Sequence, residues 1–230
     1  MSYLTLCQDL RRECSASGTG PSATTGQTGE YLKIINWVKN AWLEIQQQHD
    51  DWRWMRKSFT VSATSGDGAY AYTDCTDTVS LAAISRFSMW HKDSFKCYLT
   101  STGVGGEVPL RWMPWEQFRR IYRYGTQTNG PPAYVSEDPT QAFVLGPIPD
   151  ATYTVSGDYQ IGPQTLSADA DTPEMPTRFH QLIVYNAMLR YGFHQVAPEA
   201  IQHAQLMGSL LHAALVRDQL PEMLFGGPLA

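Results

Sequence analysis

Residues 30–56, EYLKIINWVKNAWLEIQQQHDDWRWMR, constrain the fold more than any other stretch of the chain. Ile34, Val38, Ala41, Trp42 and Ile45 recur at spacings of three and four, the period of one helix face, and Ile35, Trp37 and Trp52 widen that face. Thr28 is placed to cap the helix, and Glu30 puts a negative charge in the first turn, where the helix dipole favours it. Three tryptophans are too many for a helix with one wet side, so the spacing predicts a central helix packed on both sides. The run Asp50-Asp51-Trp52-Arg53-Trp54 ends it and delivers the chain into extended structure. These tryptophans read first as core. Trp37, Trp52 and Trp54 are also candidates for contact with another protein, since indoles carry large buried areas at interfaces.

The flanking sequence assigns the rest. Tyr3, Cys7, Leu10 and Cys14 share a stripe, which predicts a first helix over 3–14. Residues 15–29, SASGTGPSATTGQTG, read as a mobile connection. They lack the Gly-Lys-Ser/Thr ending that would make them a phosphate cradle. Alternation predicts strands over 58–63 and 153–161, with further strands over 84–89, 95–100, 133–135 and 141–145. Pro114 opens a short amphipathic helix carrying Trp115, Phe118, Ile121 and Tyr122. Pro176 and Pro198 open two closing helices, with Gly192 expected to weaken or end the first. The fold class is therefore α+β: a helical bundle formed by N- and C-terminal helices, with an inserted antiparallel β domain. The boundaries are 1–56 and 173–220 for the bundle helices, 57–172 for the β-rich insertion and 221–230 for an extended tail.

Chemistry is sparse. The net charge of −5 and the lack of a Lys/Arg cluster argue against a duplex-binding face, since basic groups supply most nonspecific DNA affinity. The first residues, MSYLTLCQDLRREC, have no apolar core of a signal peptide, and no run reaches membrane-spanning length. Cys7, Cys14, Cys75 and Cys97 form no C-x-x-C pair and read as reduced, structural thiols. His180, His194, His203 and His212 show no metal-ligand or catalytic spacing, and Asp50-Asp51 reads as an exposed turn. Neither a catalytic site, a cofactor nor a metal is expected. Arg119, Arg120 and Arg123 beside Tyr122 and Tyr124 could stack bases. A solvated helix edge, or a protein contact that includes Trp115, fits better.

The order of these pieces carries a resemblance. The helix YLTLCQDLRREC, its Gly/Ser/Thr loop, the stretch TGEYLKIINWVKNAWLEIQQQHDDWRWMR, the strand SFTVSAT, the segment GPIPDATYTVSGDYQIGPQTLSADADTPEMP and the returning helix TRFHQLIVYNAMLRYG follow one another as in a known group. The chain resembles the head–tail adaptor (connector) proteins of tailed bacteriophages, which include the tail tubular A type of gatekeeper ring. The resemblance implies a non-enzymatic virion protein, assembled in the host cytoplasm into a twelvefold ring of identical copies. Such a ring lies in the neck, below the portal protein and above the next neck or tail component, and genomic DNA passes through it without specific binding. It also implies a portal contact through the bundle or the apolar tail, where Met223, Leu224 and Phe225 stand out. The rival expectation is a carbohydrate-binding β module of a virion or cell surface. That rival requires Trp90, Trp112 and Trp115 to be exposed on one face as stacking platforms. A small hydrolase is a weaker rival, because no nucleophile, base and orienting group can be assembled from the sequence.

Overall fold

The computed structural model describes residues 1–16 and 18–220. Two compact units divide them: Met1–Met55 with the described residues from Pro163 onward, and Arg56–Gly162. The chain leaves the helical unit once, builds the β unit and returns.

In the helical unit, α1 (Tyr3–Glu13) starts at Ser2, whose hydroxyl accepts the Thr5 N–H. It buries Tyr3, Leu6, Cys7 and Leu10, and the Tyr3 hydroxyl donates to the Ile35 carbonyl at 2.8 Å. Helix α2 (Gly29–Gln47) buries Ile34, Ile35, Val38, Ala41, Trp42 and Ile45, the stripe read from the sequence, but it is not packed on both sides: Lys33, Asn36, Asn40 and Glu44 line an exposed face. Thr28 stands at its N-cap position, although its side chain makes no capping bond. Glu30 instead pairs with Arg11 at 2.6 Å. The Trp52 indole donates to the Ile45 carbonyl at 3.0 Å, satisfying one of the acceptors that a helix end leaves free.

The connection between α1 and α2 is tied down rather than wholly mobile. Pro21 and Thr24 are buried, and Thr24 bonds the Asp169 carboxylate through both its N–H and its hydroxyl. The acidic segment that carries Asp169 belongs to the helical unit and not to the strands before it. Its carbonyls at Asp169 and Asp171 accept the first free N–H groups of α1. Gln164 accepts the Trp42 indole N–H and exchanges bonds with Gln46.

After a single turn of 3₁₀ helix at Thr177–Phe179 come α4 (His180–Gln195) and α5 (Pro198–Gln219), which follow the short α3 (Trp115–Tyr122) of the β unit. Helix α4 runs through Gly192 rather than ending there. A Cβ at Gly192 would stand 2.6 Å from Ile201 Cγ1. The glycine therefore lets α5 approach α4 closely just after their tight turn, a tertiary role that helix propensity does not reveal. Gly192→Ala is expected to cost about 1–3 kcal/mol by overpacking this crossing. A lowered denaturation midpoint by circular dichroism checks it, and an unchanged midpoint contradicts the close approach.

The β unit holds ten strands: β1 (Arg56–Ala63), β2 (Ala69–Tyr70), β3 (Thr76–Asp77), β4 (Met89–Trp90), β5 (Lys96–Leu99), β6 (Val108–Pro109), β7 (Arg111–Trp112), β8 (Tyr134–Glu137), β9 (Phe143–Gly146) and β10 (Tyr153–Gln160). One sheet has the order β3-β1-β10-β5-β6, with β4 also on β10; the other has the order β2-β9-β8-β7. Pairing is antiparallel except between β7 and β8. In β1, Phe59, Val61 and Ala63 point inward, opposite Gly157, Val155 and Tyr153 of β10. The inward faces meet in a cluster of rings. Phe59 lies 4.8 Å from Trp90, 5.6 Å from Phe95 and 5.8 Å from Phe143, and Phe143 reaches Tyr70 at 5.5 Å.

Two local expectations fail here. The strand expected over 84–89 is confined to Met89–Trp90, because Phe87 turns to stack on Tyr72 at 5.0 Å. Ile121, placed by its spacing on the apolar stripe of α3, is exposed. Only Phe118 of that helix is fully buried. Tyr122 and Phe118 rest so closely on Gly146 of β9 that a Cβ there would lie within 2.8 Å of both rings.

Candidate functional site

The residues singled out from the sequence divide into three groups. Trp52 is fully buried and Trp54 is half-buried, their rings stacked at 4.4 Å. With its N–H spent on Ile45, Trp52 is core and offers no outward face. Trp37 is half-buried and edges onto Tyr191 at 6.1 Å and His194 at 5.4 Å. In the β unit, Trp115 stacks against Phe118, while Arg119 and Arg120 are exposed on α3 with Ile121, and Arg123 and Tyr124 are exposed just past its end. This basic edge is the accessible part of the expected set. Met223, Leu224 and Phe225 lie outside the described residues.

The stacking platform of a sugar-binding module does not form. Trp90 is only 2% exposed, its indole N–H donates to the Gln141 carbonyl at 2.9 Å, and its ring sits among Phe59, Phe95 and Phe143. Five of the six histidines are spread through the helical unit, and His91 lies in the β unit. His180 is buried, with Nε2 3.0 Å from the Met175 carbonyl. His212 stacks near His49 at 6.4 Å, and burial followed by the His49 charge hold it below the ordinary imidazole value. Among the described residues no three His, Cys, Asp or Glu side chains gather as a metal site. The four cysteines are free, and burial pushes the thiols of Cys7, Cys14 and Cys75 up to about 12.

Several exposed apolar side chains were not among the expected residues. On the outer side of α5, opposite the buried Ala204, Gly208 and Leu215, Leu206 is 62% exposed and Leu210 is 61% exposed. The helix carries no Asp, Glu, Lys or Arg between Glu199 and Arg217. At the α4–α5 turn Phe193 and Val196 also stand in solvent. Val196 holds a left-handed backbone, φ 54°, which a β-branched residue adopts at a cost. Leu206 and Leu210 are four residues apart on a charge-free stretch. That signal is present in the sequence but hidden by the equally apolar buried stripe beside it. Val196→Gly is expected to stabilise the chain by about 1 kcal/mol, since glycine suits a helix C-terminal left-handed position. Thermal denaturation checks this, and a loss of stability contradicts it.

A second apolar display follows β3. Asp77 is buried and accepts the N–H groups of Val79 at 2.9 Å and Ser80 at 2.6 Å, with the Tyr159 hydroxyl at 2.9 Å on its other oxygen. Burial pushes this carboxyl up, but the bonds from Ser80, Tyr159 and Val79 outweigh it and hold the group below the ordinary carboxylate value. The clamp fixes a loop tip on which Val79 and Leu81 are both 78% exposed.

These exposed apolar surfaces suit contact with other proteins. A model of the family described as SU10 adaptor protein matches residues 1–229. The chain belongs to that family. Membership bears out the resemblance to phage head–tail adaptors and gives the chain a structural adaptor role in the virion, where it interacts with other head and tail components. No curated protein matches the chain. Among the described residues no helix is long and apolar enough to cross a membrane.

Proposed function

We propose that copies of this chain close into a ring, twelvefold as in the adaptors it resembles, that joins the portal protein to the next neck or tail component and surrounds the channel through which DNA leaves. The observation that carries this reading is the uncharged, exposed face of α5 with Leu206 and Leu210. A chain working alone leaves that apolar area in water, at an unfavourable free energy of about 25 cal/mol for each Å². Copies packed side by side through a heterologous interface cover it. The adaptor family supplies the setting, and the net charge of −5 suits a conduit that DNA must pass without sticking.

In this reading the apolar tail with Met223, Leu224 and Phe225 engages the portal, and the basic edge of α3 faces the next component. Arg119, Arg120 and Arg123 are free there to pair with carboxylates. Deleting 222–230 is expected to abolish capture of the full-length chain's ring by immobilised portal, with circular dichroism unchanged. Capture at the full-length level removes the tail from the mechanism.

A further inference from the structure

Among the described residues, two uncharged apolar features are left uncovered, one in each unit. The first is the outer face of α5 with Leu206 and Leu210. The second is the tip of Val79 and Leu81, in a stretch without charge between Asp77 and Arg86. The tip is held from within. The Leu81 N–H bonds the Asp77 carbonyl at 3.0 Å, and the Asp77 N–H bonds the Ala82 carbonyl at 2.9 Å. Leu81 itself adopts a left-handed backbone, φ 55°, while its side chain touches water and buries nothing that would offset the strain.

We propose that the Val79 and Leu81 tip of one copy seats on the Leu206 and Leu210 face of a second copy. This rests on the ring reading above and names the two surfaces that meet. A face that paired with itself would close a twofold dimer, whereas a ring needs two different surfaces of one chain to fit each other. The other exposed apolar side chains of the described residues fit poorly. Leu32 stands between Glu30 and Lys33, Ile121 and Tyr124 stand among three arginines, Val104 and Val108 flank Glu107, and Phe193 and Val196 flank His194, which lies 2.7 Å from the Lys33 ammonium. Each would carry a charge into an uncharged contact, at a desolvation cost. The Val79 and Leu81 tip brings none. Its clamp on Asp77 fixes the loop before binding, so little ordering entropy is lost when it docks.

The test mixes two full-length variants, Leu81→Cys and Leu210→Cys, in the presence of the portal under mild oxidation. The native thiols of Cys7, Cys75 and Cys97 are buried and stay silent, and a Cys14→Ser background removes the half-buried one. A mixed disulfide dimer is expected only when both variants are present. It should form on the order of a hundredfold faster than with the exposed α2 control Asn40→Cys, because docked thiols share a millimolar effective concentration. Rapid dimerisation of Leu210→Cys alone, or a mixed rate equal to the control, overturns the pairing. If copy number in the particle still matches the portal, the ring reading survives that failure; if it does not, the ring reading falls first. Leu81→Asn guards against misfolding. Asparagine accepts the left-handed backbone, so Tm should hold or rise while incorporation into particles is lost. Full incorporation contradicts the proposal.

Discussion

Phe59→Ala is expected to destabilise the β unit by about 3–5 kcal/mol, the range for removing a buried phenylalanine that leaves a cavity. Phe59 is fully buried on β1, where its ring touches Trp90, Phe95, Phe143 and Tyr159. Those partners come from both sheets and from the loop between β4 and β5. The remaining rings are too large and too tightly held by their own neighbours to collapse into the space. Trp90 is anchored by its bond to Gln141, and Phe143 by Tyr70. Gly157, directly opposite Phe59 on β10, supplies no side chain to fill the gap. Chemical denaturation followed by tryptophan fluorescence measures the loss. A cost below about 1 kcal/mol would mean that the two sheets do not share one aromatic core.

Trp42→Ala is expected to cost the helical unit a similar amount, about 3–5 kcal/mol. The side chain is fully buried in the middle of α2, and its N–H reaches Gln164 at 3.2 Å. Gln46 donates to the Gln164 carbonyl at 3.0 Å and accepts its N–H at 2.7 Å. This relay is where the chain re-enters the helical unit after the β excursion, so Trp42 supports both the core and the return. Trp42→Phe separates the two parts. It keeps most of the apolar volume and removes the hydrogen bond, and Gln164 Oε1 still accepts the Glu174 N–H. Its cost should therefore be about 1–2 kcal/mol. Equal costs for the two variants would show that the relay, and not burial, dominates at this position.

What was legible in the sequence was what repeats. Helix α2 and strands β1 and β10 carry long unbroken periods, and their buried apolar residues are those the spacing selects, while Trp37 is only half-buried and the polar Gln46 and Gln160 are buried without any such signal. The excursion from helices into strands and back follows from the order of these elements. What was not legible depends on contacts distant in sequence. The stretch 84–88 has strand-forming residues, yet Phe87 finds Tyr72 and Trp90 and leaves the ladder. Gly192 carries the mark of a helix end but serves a helix crossing. The parallel pairing of β7 with β8 joins strands separated by the whole of α3. At the surface, tryptophans drew attention because they are large, and Trp52 and Trp90 proved to be interior. The leucines on the outer face of α5 were missed because nothing in a residue's type tells which of two apolar stripes on one helix is already covered.

The ring account is tested most directly by counting copies of this chain against the portal protein in purified particles, using quantitative mass spectrometry with isotope-labelled peptides. The account predicts a ratio near one to one. A few copies per particle, hundreds of copies, or none would contradict it.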